Sequence, residues 1–321
     1  MSIFPFKLIP NDTNFNFMRL RWITLGIAAV MFIGVVGLIF TKGFNYALDF
    51  TGGTVVELRF AKPADVEQVR GRLAQAGFGT AQVQSFGSGS ELLVRLQPRD
   101  GVASAGTNDE AARQVVAATS TPDNPAEVLR SEFVGPQVGS ELAMNGLYAA
   151  IFVVVGFLIY IGFRFEWKFA VVASLTTLFD VLVTAGWISM TGREFDLTVL
   201  AGLLAVMGFS INDTIVVFDR VRENFRSLRV EPLEVMNRSI NQTLSRTIIT
   251  SVVFFLSVLA LYLYGGGSLE GLAVTQMVGA VIGTASSIFI ACPLLTFGFL
   301  KVTKQDLLPK ARDIEALARR P

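Results

Sequence analysis

Residues 197–218, LTVLAGLLAVMGFSINDTIVVF, form a long apolar run that contains a single charged residue, Asp213. An α-helix needs about 20 predominantly apolar residues to cross the hydrocarbon core of a bilayer. The stretch is therefore predicted to be a transmembrane helix. Because an ionisable residue inside a membrane usually faces the protein interior and marks a pathway, Asp213 is also the first candidate functional residue.

The composition of the whole chain supports a membrane location. Of 321 residues, 52% are hydrophobic and only 17% are charged, and the mean hydropathy is +0.54; a soluble domain has about a quarter of its residues charged. The other stretches long enough to span a bilayer are 22–40, 142–163, 169–190, 247–269 and 271–300. We therefore predict an α-helical polytopic membrane protein with six transmembrane helices. The first span has basic flanks but no A-x-A-like cleavage site, so it is predicted to be an uncleaved anchor.

The composition also excludes several kinds of site. The chain has no histidine, which excludes histidine-based catalysis and histidine metal ligands. A single cysteine, Cys292, can form neither an internal disulfide nor a cysteine-only metal site. The net charge of +1 gives no bias toward nucleic acid. We predict no metal, no cofactor and no enzymatic activity.

Basic residues alternate between the two sides of the predicted bundle. They are frequent in 1–21, 164–168, 219–246 and 301–321, and scarce in 191–196 and 265–271. Because loops rich in Lys and Arg stay in the cytoplasm, both termini are predicted to be cytoplasmic and 41–141 periplasmic. The segment 219–246 is predicted to form two amphipathic helices at the cytoplasmic surface, with its basic residues near anionic lipid.

The periplasmic segment 41–141 shows the periodicities of an α+β domain. Strand-like alternation and helical spacing predict strands at 54–60, 81–86, 91–97 and 127–134 and helices at 64–78 and 108–120. This βαββαβ order is that of a ferredoxin-like split unit. The glycine-rich pieces match no phosphate-binding motif, since FTGGT lacks the Lys-Ser/Thr of a P-loop. A binding or docking domain is therefore predicted rather than an enzyme.

Two charged residues lie within the predicted spans, and a third lies at the entry of one. Asp180 is near the middle of 169–190, and Asp213 lies about 8 Å from the end of its span at 1.5 Å per residue. Arg246 is at a matching depth at the start of 247–269, so a pair between Asp213 and Arg246 is predicted. Ser210, Asn212 and Thr214 are predicted to hold water beside Asp213.

Other interpretations of these charges stay open. The pair between Asp213 and Arg246 is alternatively a structural ion pair, and Asp180 alternatively makes an interhelical hydrogen bond. Asp219 is predicted to be a solvated surface charge. Small residues in the last spans predict close helix contacts and burial of Asp213: they are Ala201, Gly202, Ala205, Gly208, Gly279 and Gly283.

Six motifs together resemble the SecD/SecF family of protein-export membrane proteins, of the resistance-nodulation-division superfamily. They are LDFTGGT (48–54), FVGPQVG (133–139), GFRFEW (162–167), GFSINDTIVVFDRVRENFR (208–226), LSRTIITS (244–251) and GTASSI (283–288). They occur in the family's order and cover nearly the whole chain, and the six-span layout is that of the SecF-type small subunit. Asp49, Gly52 and Gly53 fall in the family motif of the periplasmic domain.

The resemblance implies an accessory subunit of bacterial protein export in the inner membrane. Its implied partners are SecD, which completes a twelve-helix bundle, the SecYEG translocon, YajC and the translocating preprotein. The family uses the proton-motive force, or in some organisms sodium, to promote translocation. The family residues implicated in ion coupling map onto Asp213 and Arg246.

Three alternative functions remain beside this one. An intramembrane aspartyl protease would need Asp180 and Asp213 to share one site, although their estimated depths differ and no GxGD motif precedes Asp213. An efflux-type transporter subunit of the same superfamily would normally have more spans and larger periplasmic domains. A structural subunit would have no ion coupling.

Overall fold

The computed structural model describes residues 13–79, 81–86, 90–96 and 108–303. Within these residues, six helices are long and apolar enough to cross a membrane. A small α+β domain lies between the first and the second of them along the chain. The predicted fold class is therefore confirmed. Most of the predicted cytoplasmic tail, from 304 onward, and the first twelve positions of the predicted segment 1–21 lie outside the described residues.

The helices follow one another as α1 (Arg21–Lys42), α2 (Leu48–Thr51), α3 (Val66–Gln75), α4 (Asn108–Thr119), α5 (Pro136–Arg164), α6 (Trp167–Thr191), α7 (Leu197–Ser227), α8 (Pro232–Tyr264), α9 (Gly267–Ser286) and α10 (Cys292–Leu294). A π-helical turn, Ser287–Ala291, joins α9 to α10, and short 3-10 helices cover Phe17–Leu20 and Gly298–Leu300. The strands are β1 (Asn45–Tyr46), β2 (Gly53–Phe60), β3 (Gln82–Phe86), β4 (Glu91–Leu96), β5 (Ala126–Val134) and β6 (Glu194–Phe195).

The chain divides into two compact units. The membrane unit comprises Met1–Asn45 and Ala150–Pro321, and the α+β domain comprises Tyr46–Ala149. The six long helices belong wholly or in part to the membrane unit, and the four-stranded sheet belongs to the α+β domain.

The sheet of the α+β domain has the order β3-β4-β2-β5, and each neighbouring pair is antiparallel. With α3 after β2 and α4 before β5, this is the βαββαβ split unit, whose first and third strands lie at the centre. Each predicted strand and helix is present within a few residues of its predicted ends. Of the predicted turn at 87–90, positions 87–89 lie outside the described residues.

One face of this sheet is covered by α3 and α4. Alternate side chains of β2, among them Val56 and Leu58, are fully buried, whereas the intervening ones are more exposed. They pack with Leu73 of α3 and Val115 of α4 in one apolar cluster. Period-two burial in the strand and helical spacing in α3 thus build a two-layer core.

Three glycines of the family motifs permit close approaches of main chain in the α+β domain. After the single turn of α2, Gly52 and Gly53 have positive φ angles of 67° and 122°, which side-chain-bearing residues rarely adopt. A Cβ atom at Gly53 would overlap the carbonyl oxygen of Leu96 in β4. A Cβ at Gly139, at the start of α5, would lie 2.9 Å from the amide nitrogen of Gly52. The LDFTGGT and FVGPQVG motifs therefore meet through backbone that has no room for side chains.

The predicted small-residue contact is found between α7 and α9. A Cβ at Gly202 would lie 2.9 Å from Cβ of Thr275, and one at Gly279 would overlap Val206. The absence of side chains lets the two backbones approach closely. Gly208 differs from this prediction, because nothing lies within 4 Å of the place where its Cβ would be.

The segment 219–246 differs from its predicted form. It does not make separate surface helices, since α7 continues to Ser227 and α8 already begins at Pro232. Apolar residues of this hairpin, among them Val221, Phe225 and Met236, are buried in a cluster with Phe169 of α6. An apolar stripe that continues past the predicted span boundary therefore keeps the two helices unbroken. At the other end, the glycines after Tyr264 end α8 earlier than the predicted limit of 269.

Two asparagines of α8 hold the chain before α1. The side chain of Asn241 accepts a hydrogen bond from the amide of Phe15 at 2.9 Å and donates one to the carbonyl oxygen of Phe15 at 2.8 Å. Asn237, one turn earlier, accepts from the amide of Phe17 at 2.8 Å. The side chain of Met18 is buried in the adjacent apolar cluster. This N-terminal clamp fastens the main chain of Phe15 and Phe17 to the first turns of α8.

Candidate functional site

Asp213 lies in the interior of the membrane unit, on α7, and is 2% exposed. The hydroxyl of Ser251, on α8, donates a hydrogen bond of 3.3 Å to Oδ2 of Asp213. Thr284, on α9, donates in turn to Oγ of Ser251 at 2.8 Å. The predicted burial of Asp213 against other helices is confirmed, and a chain of hydroxyls links it to both neighbours.

Asp180, on α6, is fully buried. Its Oδ2 accepts hydrogen bonds from Ser210 of α7 and from Ser286 of α9, the latter at 2.8 Å. Oδ1 has no hydrogen-bond partner among the described residues. The predicted interhelical hydrogen bond is confirmed. The two carboxylates have separate sets of serines and share none, which is not the arrangement of an aspartyl protease dyad.

Three of the hydroxyls around the carboxylates, those of Ser251, Thr284 and Ser286, each have a second acceptor. Oγ of Ser251 lies 2.7 Å from the carbonyl oxygen of Thr247, Oγ1 of Thr284 lies 2.6 Å from that of Ala280, and Oγ of Ser286 lies 3.0 Å from that of Gly283. A hydroxyl carries one hydrogen, so it donates either to its own helix or to the network. The direction of these hydrogens can therefore change while the oxygen atoms stay in place.

The predicted pair between Asp213 and Arg246 is not formed. In the described part of the chain, no carboxylate lies within 4 Å of the Arg246 guanidinium. Thr247 and Ser251 share the buried face of α8, and the residue before Thr247 lies about 100° around the helix. Arg246 is therefore exposed. It lines an open groove of about 700 Å³ with Arg220, Gln242, Ser245, Ile249 and Thr250.

The polar residues predicted to surround Asp213 occupy three different places. Ser210 is buried, but it donates to Asp180 rather than to Asp213. Asn212 lies on the exposed side of α7. Thr214 is fully buried, and its hydroxyl has no hydrogen-bond partner among the residues that the structure describes. Positions 210 and 214 lie about 40° apart around the helix, whereas position 212 lies about 160° from each of them, so only Asn212 is exposed.

Asp219, predicted to be a solvated surface charge, is 43% exposed in its side chain and takes part in an ion-pair network. Arg164, the last residue of α5, donates to Oδ2 of Asp219 at 2.7 Å. Arg222 bonds Glu166 at 3.0 Å, lies 3.6 Å from Asp219 and is only 18% exposed in its side chain. The guanidinium groups of both arginines lie over the ring of Phe165, at 5.0 and 5.4 Å. The GFRFEW motif and the end of α7 are thus partners.

Three residues of the buried network, Ser251, Thr284 and Ser286, were missed by reasoning from single residues. Each belongs to a quoted motif, LSRTIITS or GTASSI. Their hydroxyls were the available signal, since serine and threonine in an apolar span bond either to their own helix or across to another. The predicted absence of a metal stays a prediction; within the described residues, no group of three or more acidic, cysteine or histidine side chains is placed to hold one.

Asp49, Gly52 and Gly53 lie together at the start of the α+β domain. Asp49 is half-buried in the single turn of α2, and the two glycines make the main-chain approaches given above. The close main-chain approaches at the two glycines constrain the backbone at this point.

Two family models match the chain. The model described as "Protein export membrane protein SecD/SecF, C-terminal" matches residues 114–300, and the "SecD/SecF GG Motif" model matches residues 37–64. The first covers more than half of the chain. The second contains the glycine pair whose close main-chain contact is seen in the α+β domain.

Several known proteins are similar to the chain. It is 45% identical to the protein translocase subunit SecF of Pseudomonas aeruginosa over 302 residues, which are 93% of this chain and 95% of that protein. The SecDF subunit of Brucella abortus is 39% identical, with 94% of this chain covering 39% of that protein.

The comparison with solved structures points to the same family as the sequence comparisons. The crystal structure of SecDF from Thermus thermophilus, described as a translocon-associated membrane protein, matches with a TM-score of 0.80 and 39% identity. The match covers 90% of this chain and 39% of that one, so this chain spans about two fifths of the length of the SecDF chain. A SecDF structure in a super-membrane-facing form matches with a TM-score of 0.63. The chain belongs to the SecD/SecF family of protein-export membrane proteins.

Proposed function

We propose that this protein is an accessory subunit of the bacterial Sec export machinery. Together with a SecD-type partner, it uses the proton-motive force across the inner membrane to promote late steps of protein translocation. The observation that carries the proposal is the burial of Asp213 among hydroxyls of α8 and α9 inside an apolar bundle. An ionisable group in that position is costly and usually functional.

Asp213 is proposed to bind and release one proton in each cycle. In its ionised form it accepts the hydrogen bond of Ser251. In its protonated form it donates to Oγ of Ser251, whose own hydrogen then points to the carbonyl oxygen of Thr247. Both forms have hydrogen-bond partners, so the proton can come and go without leaving a buried polar group unpaired.

Arg246 is proposed to act at the cytoplasmic exit of this path. It lies five residues before Ser251 on α8 and lines the open groove next to Arg220. A positive charge there influences the release of a proton from Asp213. A direct ion pair between Arg246 and Asp213 would require α7 and α8 to rearrange. We therefore propose that this pair forms only in the step after Asp213 has released its proton.

The topology of the proposal follows from the basic loops. Both termini and the hairpin between α7 and α8 are placed in the cytoplasm, and the α+β domain in the periplasm. The partner is supported by relatives in which SecD and SecF form one chain, of which this chain corresponds to two fifths. SecYEG, YajC and the translocating preprotein are the further proposed partners, and the α+β domain is the part placed to meet the preprotein.

The decisive experiment compares wild type with Asp213→Asn in cells and in vesicles. We expect export of a presecretory protein and proton flux through the reconstituted complex to be lost, while the SecD-type partner still co-purifies. Asn keeps the shape and one acceptor oxygen but cannot exchange a proton. Unchanged export and flux in an assembled complex would instead favour a structural subunit.

A further inference from the structure

We propose that Asp180 is a second proton-exchanging carboxylate, which acts in series with Asp213. This inference rests on the proposed function and names a further residue for it. Asp180 lies outside the quoted family motifs, and the sequence predicts for it only a place near the middle of its span and an interhelical hydrogen bond. Its surroundings, however, repeat those of Asp213.

The first argument is the equivalence of the two sites. Each carboxylate is buried on one helix and accepts a hydrogen bond from a serine of another helix, Ser251 for Asp213 and Ser286 for Asp180. Each of these serines has a carbonyl oxygen of its own helix as an alternative acceptor, Thr247 or Gly283. A carboxylate that served only to join helices would need donors alone.

The alternative acceptor lets the site hold Asp180 in both protonation states. When Asp180 is ionised, Ser210 and Ser286 donate to Oδ2. When a proton binds, an O–H bond forms on Oδ2 and donates to Oγ of Ser286. The hydrogen of Ser286 then turns to the carbonyl oxygen of Gly283, and Ser210 still donates to the second lone pair. One proton is gained or lost, and no other covalent bond forms or breaks.

The second argument is the absence of a counter-charge. Within the described residues, no Lys or Arg lies within 4 Å of Asp180, and its Oδ1 is buried without a partner. A structural carboxylate in an apolar interior is normally paired with a cation. Asp180 has hydroxyl groups instead, which serve a neutral and a charged carboxyl group equally well.

The third argument is position along the path. Ser210, which binds Asp180, precedes Asp213 by three residues on α7, about 4.5 Å along the helix. In the proposed topology α7 runs inward, so Asp180 lies on the periplasmic side of Asp213. A proton that moves inward would reach Asp180 first and Asp213 second. Ser286 binds Asp180, and Thr284, two residues earlier on α9, binds Ser251 of the Asp213 site, so the two sites are neighbours along α9.

The test measures proton flux in proteoliposomes that contain the complex of this chain with its SecD-type partner. We expect Asp180→Asn and Asp213→Asn each to lower the flux by about tenfold or more, as loss of a proton-transferring group does. Ser257→Ala is the control, because this exposed hydroxyl on α8 bonds only within its own helix. Its flux should equal that of wild type.

The outcomes separate the two proposals. Flux lost in Asp213→Asn but normal in Asp180→Asn would overturn the present inference alone, because Asn keeps the acceptor that a purely structural role requires. Normal flux in Asp213→Asn would overturn the proposed function itself.

A second measurement does not require the Asp180→Asn variant to assemble with its SecD-type partner. Infrared difference spectra of the Asp213→Asn complex between two pH values should still contain the band of one titrating buried carboxyl group. Replacing Ser286 by Ala in the same complex should shift that band, since Ser286 bonds the carboxyl group. If no buried carboxyl band titrates in Asp213→Asn, the inference is overturned.

Discussion

Arg164 Nη2 lies 2.7 Å from Oδ2 of Asp219, so the last residue of α5 is tied to α7 at the point where α7 leaves the predicted span. Both side chains are more than 40% exposed. Arg222, beside them, is much less exposed and forms an ion pair with Glu166. The network therefore has an exposed pair and a partly buried pair that share one helix.

The two pairs should differ in their effect on stability. Arg164→Gln should lower the free energy of unfolding by at most about 1 kcal/mol, as for exposed ion pairs. Arg222→Gln should cost more, about 2 kcal/mol, because it leaves Glu166 without its partner and removes the cation over Phe165. Thermal unfolding of the detergent-solubilised protein measures both. Equal melting temperatures for the two variants would contradict this ranking.

The close contact between α7 and α9 makes a matched pair of glycine substitutions informative. Gly279→Ala would force its methyl group into Val206, so we expect a loss of about 1–3 kcal/mol from overpacking. Gly208→Ala is the control, because its methyl group would meet nothing within 4 Å. Thermal unfolding in the same detergent compares them. A Gly279→Ala protein as stable as Gly208→Ala would show that the two helices do not pack as described.

The glycine pair of the α+β domain is open to the same kind of comparison. Gly53→Ala should loosen the domain, since a side chain there meets the Leu96 carbonyl group and the φ of 122° is unfavourable. Gly71→Ala, in α3 with nothing within 4 Å, should instead stabilise it by about 0.5–1 kcal/mol. Hydrogen exchange of β2 and β4 in the intact protein reports both. Slower exchange in Gly53→Ala than in wild type would contradict the first expectation.

Glu57, on β2, makes the stability of the α+β domain depend on pH. Burial raises the pKa of its carboxyl group above the usual 4.5, and the nearby Glu132 and Glu91 act in the same direction, whereas Arg130 opposes them. The folded domain therefore binds a proton more tightly than the unfolded chain. The resulting stabilisation is complete below pH 4.5 and is lost as the pH rises through the raised pKa.

Glu57→Gln should remove this part of the pH dependence. The variant's α+β domain should gain less stability than wild type when the pH falls toward 4.5, as followed by hydrogen exchange of β2 at several pH values. Glu67→Gln is a suitable control, since Glu67 lies on the exposed side of α3. A steeper dependence in Glu57→Gln than in wild type would refute the assignment.

Periodicity in the sequence was enough to predict the βαββαβ domain and the six spans. Strand alternation at 54–60 and helical spacing at 64–78 are local properties, and each residue's face follows from them. The limits of the spans were harder to predict, because the apolar stripe of α7 runs on to Phe225 and only packing against α6 reveals it. Burial of Asp213 followed from the cost of intramembrane charge.

The partners of the charged residues could not be predicted in the same way. Depth along a helix suggested that Asp213 meets Arg246, but the rotation of α8 about its own axis decides which side chain faces inward. That rotation is set by tertiary contacts, which place Ser251 toward Asp213 and Arg246 toward the groove. The serines that bind Asp180 come from helices 30 and 106 positions away in sequence, and such long-range pairs have no local signal.

The N-terminal clamp has a consequence for which residues the chain tolerates at its start. Asn241 forms its hydrogen bonds to Phe15 with the amide and carbonyl groups of that residue, whose side chain is 60% exposed. The clamp thus binds main-chain groups of residue 15, and this binding does not depend on the side chain at that position. Almost any amino acid should be accepted at position 15, with proline the exception, because proline has no N–H to offer.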